Sequence, residues 1–191
     1  LRKSDWRGDW IGYDAPLRNV KKSSGGTLVL PPPRYLRREF HVTKKPSRAT
    51  LYGSALGLFE FRLNGKKVGR DYFTPGWTDY HIRVNYHTYD VTHLVKKGDN
   101  VWGAILADGW YSGYVGFGKR RDHYGRRTRL LGQLVLEYED RSREVIVTGR
   151  QWKANTGPLR EADFLMGEKY DARKEDVGWD QAGYDDQGWS R

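Results

Sequence analysis

From Phe59 to Asn64 the side chains alternate strictly, with Phe59, Phe61 and Leu63 apolar and Glu60, Arg62 and Asn64 polar. A period of two puts the apolar set on one face of an extended segment, so this stretch must be a strand with one face in a core and one toward solvent. Asn64-Gly65 follows at once. Both residues tolerate the positive φ angles of a type I′ turn, which predicts a hairpin of Leu58 to Leu63 with Lys67 to Gly69. Further strands are expected at Arg38 to Val42, Ala49 to Gly53, Arg83 to Val91, Val101 to Leu106, Leu130 to Tyr138 and Val145 to Val147. The one helix-like stretch, Thr92 to Lys97, is a single turn with Thr92 as cap and Gly98 as stop. With no βαβ repeat, the expectation is an all-β, antiparallel β-sandwich with long aromatic loops and little helix.

A chain of 191 residues can enclose one substantial core, so a single module over 1–191 is expected. Residues 1–35 read as a strand and loop lead-in. Val20 to Pro33, with its Ser-Gly and triple-proline runs, reads as a surface loop. Residues 157–191 read as an irregular segment anchored by Trp179 and Trp189. The absence of cysteine removes disulfides, thiolate catalysis and Cys-ligated zinc. No apolar run approaches the ~18 residues of a membrane span, and no signal-like segment opens the chain, which begins at Leu1 as an excised or processed piece would.

Eight tryptophans and 13 tyrosines direct attention to two loops. Phe73 to Tyr80 contains Pro75-Gly76-Trp77-Thr78-Asp79, which can set an aromatic ring beside a hydroxyl and a carboxylate, the combination that covers a sugar's C–H face and takes its hydroxyls. The competing reading is a Pro-Gly turn with Trp77 packed as an anchor, and the general burial of large aromatics favours it. In Ala107 to Gly118 the glycines allow close backbone approach, while Asp108, Trp110, Tyr111 and Tyr114 supply polar and aromatic groups. Long loops on sandwiches carry binding, which here favours a ligand platform over scaffold.

The net charge is +10, and Lys119-Arg120-Arg121 with Arg126, Arg127 and Arg129 could follow phosphates or uronate carboxylates; a solvated charge run is the favoured reading. Acidic residues such as Glu161, Asp163, Glu168, Asp171, Asp185 and Asp186 are numerous, yet a glycosidase needs two facing each other across a bond, which spacing does not show. There is no EF-hand loop, paired-His zinc motif or triad signature. No catalytic constellation is identified.

Several ordered motifs make the chain resemble the N-terminal region of the bacterial α-L-rhamnosidases of glycoside hydrolase family 78. These are Trp6 and Trp10-Ile11-Gly12, Leu36 to Phe40, Ala49 to Tyr52, Leu63-Asn64-Gly65, Pro75 to Tyr80, Tyr89 to Thr92, Asp108 to Tyr111, Gly157-Pro158, Gly167 to Arg173 and Gly178-Trp179-Asp180. The resemblance implies a jelly-roll-like domain whose relatives in carbohydrate-binding module family 67 hold L-rhamnose through calcium, the catalytic glutamates lying in a separate (α/α)6 barrel. Carried over, it implies a calcium site at Asn64 with backbone carbonyls of Asp108 to Phe117. Leu63, apolar where an acidic neighbour would be wanted, makes a metal-free version preferable.

The function expected is therefore a non-catalytic accessory module presenting Asn64, Trp77, Asp79, Asp108, Trp110 and Tyr111 to a rhamnose-containing oligo- or polysaccharide, neutral or acidic. Asn64 and the aromatic loop would meet at one end of the sandwich. Its alternatives are a structural module packed on the catalytic barrel of the same polypeptide and, remotely, a basic nucleic-acid binder. A secreted, periplasmic or cell-surface location goes with the first, with the cytoplasm left open.

Overall fold

The computed structural model describes residues 2–14, 20–23, 26–118 and 120–190. Ser24 and Gly25 of the expected loop and Lys119 of the basic run lie outside the described residues. Two antiparallel sheets face each other. One contains four strands in the order β10-β9-β4-β7, from β4 (Arg48–Leu56), β7 (His87–Asp90), β9 (Arg129–Glu137) and β10 (Arg143–Val147). The other contains five in the order β11-β3-β8-β5-β6, from β3 (Arg34–Val42), β5 (Leu58–Leu63), β6 (Lys66–Lys67), β8 (Gly98–Ala107) and β11 (Lys153–Thr156). The fold is the β-sandwich that the alternation called for.

Phe59, Phe61 and Leu63 point inward as expected and are buried, and Asn64 and Gly65 turn the chain at φ 51° and 81°. The core between the sheets centres on Trp102, fully buried and edge-on to Phe61 at 5.3 Å and to Trp152 at 4.9 Å. Glycines opposite make room for these rings. A Cβ at Gly53 would lie 2.1 Å from Phe61 Cε2, and one at Gly132 would lie 2.8 Å from the Trp102 ring, so both positions in the facing sheet are closed to side chains.

Several local expectations need correction. Val20 to Pro33 is not simply a surface loop: β1 (Val20–Ser23) pairs with β2 (Gly26–Val29), and Pro31, Pro32 and Pro33 are buried. The β5 hairpin partner is Lys66–Lys67 and stops before Gly69, which takes φ 74° and leaves the sheet. Of Arg83 to Val91 only His87–Asp90 is strand, because beyond it the Ser54 hydroxyl, not a backbone group, donates to Asn85 O at 2.7 Å. The turn after it begins at Val91, whose carbonyl accepts from Leu94 and Val95. Its cap is the Asp90 carboxylate, which takes the Thr92 N–H at 3.0 Å and the Thr92 hydroxyl at 2.6 Å. The short helix α1 (Gly109–Ser112) lies instead inside the aromatic loop.

Residues 157–191 are more regular than expected: β12 (Leu159–Asp163) pairs with β13 (Gly167–Tyr170). The rest of this segment crosses the outer face of the five-stranded sheet, where Trp179 and Trp189 cover Tyr35 in a second small core. Arg37 of β3 is the peg beneath it. Its fully buried guanidinium donates to Trp179 O at 2.8 Å, to Gln181 O at 3.2 Å and to Glu39 at 2.9 Å, and it is bonded to Asp186.

Burial pushes the Asp186 carboxyl up, but Lys153 at 2.5 Å and Arg37 outweigh that and leave its pKa lowered. A lowered folded pKa contributes stability that is present above the ordinary carboxylate range and lost as pH falls through the folded value. The tryptophan fluorescence of this segment is therefore expected to change in acid, and Asp186→Asn should remove part of that transition. An identical acid profile in the variant would refute the assignment.

Candidate functional site

β8 runs from the Asn64 end of the molecule to the aromatic loop. Asn64 N donates to Val101 O at 3.0 Å, whereas Leu58, at the other end of β5, pairs with Ala107. Six residues of strand, roughly 20 Å, separate the two. The expectation that Asn64 and the loop meet at one end is therefore wrong. Alternation gives a strand's faces but not which ends of two distant strands coincide.

The Asn64 amide is also engaged at both ends. Its Nδ2 donates to Leu94 O at 2.9 Å and to Asn100 Oδ1 at 2.7 Å, and its Oδ1 accepts from Val101 N at 2.9 Å. The residues implied for calcium thus do not fit the ion: the side chain is committed and the loop carbonyls are a strand's length away. Among the described residues no group of three or more His, Cys, Asp or Glu side chains is arranged to hold a metal.

Asp108, expected to face a sugar, is buried instead. Oδ1 accepts from Arg34 at 2.9 Å and Oδ2 from Arg121 at 2.8 Å, so each oxygen is engaged by an arginine and the buried carboxylate does not face solvent. Arg121 also bonds to Val29 O, and Val29 N donates to Tyr114 OH at 2.9 Å. The loop root is tied by these bonds to β3 and β2. Three more arginines of the basic run have acidic neighbours, Arg126 near Asp122, and Arg127 and Arg129 near Asp14.

What gathers at the loop end is a set of rings. Trp77 lies parallel to Trp110, at 7° and 6.0 Å, and Trp110 stacks on Phe164 at 4.3 Å. Phe73 packs against both Trp110 and Phe164, at 6.2 and 5.0 Å. Trp77 is 52% exposed, so it is neither a buried anchor nor a lone surface ring: Trp110 backs it. The ring offered outward is Trp77, whereas Trp110 gives a face to Phe164. Trp77 Nε1 donates to Tyr124 OH at 3.2 Å.

Tyr111 packs edge-on to Tyr80 at 5.4 Å and stands over Gly125, a supporting place rather than a platform. Burial raises the Tyr80 phenol to about 12, so it stays neutral, donating to Gly76 O at 3.1 Å. Asp79 is exposed and turned to its own loop, accepting from His81 N at 3.0 Å. Phe73 and Phe164 were missed. The signal for Phe164 was the preceding Asp163, whose Oδ1 takes the N–H groups of Leu165 and Met166 in a side-chain-made turn and whose Oδ2 takes Tyr114 N at 2.8 Å. Leu58, Phe73, Ala162, Phe164, Asp163 and Glu168 line a cavity of about 300 Å³ beside this cluster.

The sequence profile described as the alpha-L-rhamnosidase N-terminal domain matches residues 44–191. The chain belongs to that family. An α-L-rhamnosidase of Streptomyces avermitilis is 54% identical over 156 residues, which is 81% of this chain and 15% of that protein. The crystal structure of the Streptomyces avermitilis α-L-rhamnosidase complexed with L-rhamnose superposes with a TM-score of 0.83 at 51% identity, over 85% of this chain and 16% of that one. That of the Aspergillus terreus α-L-rhamnosidase superposes over 100% of this chain and 21% of that one, with a TM-score of 0.91 at 38% identity. The α-L-rhamnosidase N-terminal domain described here thus spans a fifth or less of the curated relatives it matches.

Proposed function

We propose that this domain is a non-catalytic carbohydrate-recognition module of an α-L-rhamnosidase-type glycoside hydrolase, holding rhamnose-containing glycans at the Trp77 end. The observation that carries the reading is the half-exposed Trp77 ring, held parallel to Trp110 in a ring cluster whose other members, Phe73 and Phe164, line a mainly apolar cavity. A backed indole face suits the C–H surface of a pyranose, and the cavity near this cluster is large enough to take a 6-deoxysugar with its methyl group against the apolar lining. Tyr124 OH, which takes the Trp77 N–H, and Asp163 and Glu168 at the cavity are polar groups around this cluster.

Calorimetric titration with a rhamnose-containing oligosaccharide tests it. Trp77→Ala is expected to weaken binding about ten-fold or more, in line with the ~1–3 kcal/mol that aromatic hot-spot residues contribute, while leaving thermal stability nearly unchanged. Equal affinity in the variant would sink the proposal. A second reading, that the domain packs against the catalytic barrel of the same polypeptide, draws support from Phe117, which stands fully exposed between Gly116 and Gly118 at the tip of the aromatic loop. In that case the isolated chain binds no sugar, and its exposed rings become shielded from quenchers only in the full-length enzyme.

A further inference from the structure

A second cavity of about 360 Å³ lies away from the Trp77 cluster, between the segment that carries Asp9 and Trp10 and the turn from Gly149 to Trp152. The backbone on both sides is fixed. Asp9 N donates to Thr148 O at 2.9 Å, the Thr148 hydroxyl donates to Asp9 O at 2.7 Å, and Trp152 N donates to Gly149 O at 3.1 Å. The next residues along are tied as well, by the bridge of Ile11 to Leu130.

Two of the side chains these elements present, Asp9 and Arg150, are not used by the fold among the described residues. Asp9 and Arg150 line the same cavity without forming a salt bridge, and among the described residues no partner takes the Asp9 carboxylate or the Arg150 guanidinium. Trp10, at its rim, is 42% exposed. Gly149 sits under the carboxylate, where an added Cβ would come to 3.7 Å from Asp9 Oδ2. A carboxylate on a fixed backbone can accept two vicinal hydroxyls, a guanidinium donates to ring or hydroxyl oxygens, and an indole covers a C–H face. Arg129 lines the cavity as well but is held by Asp14 at 2.9 Å, so its charge is already balanced and the free pair, Asp9 and Arg150, leaves the site neutral and matched to an uncharged ligand.

We propose that Asp9, Trp10 and Arg150 form a second binding site for a neutral pyranose, distinct from the Trp77 cluster. Only the choice of a sugar as ligand rests on the carbohydrate-module reading above. Two sites on one module would let it hold a glycan chain at two points, raising the avidity of each.

The test is a titration of the isotope-labelled chain with methyl α-L-rhamnopyranoside, followed through the tryptophan indole N–H resonances, in the parent, Trp10→Ala, Asp9→Asn and Trp77→Ala. All three side chains are exposed, so each variant should fold. The expected result is a saturable shift of the Trp10 indole that Trp77→Ala leaves in place and Asp9→Asn weakens at least ten-fold. If the Trp77 indole responds while Trp10 does not, this inference is overturned and the proposed function stands. A Trp10 response without one at Trp77 supports the second site and removes the first. If neither responds at saturating sugar, both fail.

Discussion

Asp108→Asn is expected to lower the free energy of unfolding by about 3–5 kcal/mol, the cost of breaking a buried ion pair from one side. The substitution keeps the shape of the side chain and removes its charge. Arg34 and Arg121, whose side chains are 7% and 14% exposed, would then share a neutral amide that can accept at only one atom. Because Asp108 stands immediately before α1, the loss should reach Trp110 and hence the support of Trp77. Urea unfolding of the variant, with near-ultraviolet circular dichroism as a second probe, measures both. A change in stability below about 1 kcal/mol would mean that the two guanidinium groups reach water or another acceptor on their own.

A loss of similar size, about 3–5 kcal/mol, is expected for Arg37→Ala, and for a different reason. Here the buried charge itself is removed, and with it the donor to the Trp179 and Gln181 carbonyls and the partner of Asp186. The two carboxylates left behind are partly exposed and can be hydrated, so most of the cost falls on the unpaired carbonyls and on the cavity beneath the C-terminal segment. That segment should open before the sandwich does. Hydrogen exchange across residues 175–190 should accelerate while β8 and β9 stay protected; uniform acceleration over the whole chain would show that the segment and the core unfold as one unit.

The β5 hairpin, the inward set of β3, β4, β8 and β9, and the anchoring role of Trp179 and Trp189 were legible because each follows from side-chain periodicity or from a large apolar surface in a polar context. The β12–β13 hairpin was not, since Leu159 to Asp163 and Gly167 to Tyr170 carry little hydrophobic alternation and lie on the surface, where the pattern that marks a half-buried strand has no reason to appear. Phe164 escaped notice with it.

The site was half legible. Trp77 and Trp110, both expected to be presented to a glycan, lie side by side, but Asp108 and Asn64 carry polar side chains that the fold consumes internally. A carboxylate in an aromatic loop looks the same in sequence whether it awaits a ligand or meets two arginines, one of them 74 positions earlier. Asp9 and Arg150 show the converse: 141 residues apart by number, nothing in either local sequence marks them as sharing a cavity.

The ionic brace of Arg34, Asp108 and Arg121 bears on selectivity. Because it fastens the root of the aromatic loop to two neighbouring strands, the backbone beneath Trp110 is ordered before any ligand arrives, and little conformational entropy is lost on association. The same stiffness removes the means to adapt. On the proposed function, a glycan whose stacking face carries an extra substituent would meet a surface that does not yield, and discrimination at this end of the domain would be steric, set by which sugars lie flat against a ring that stays where it is.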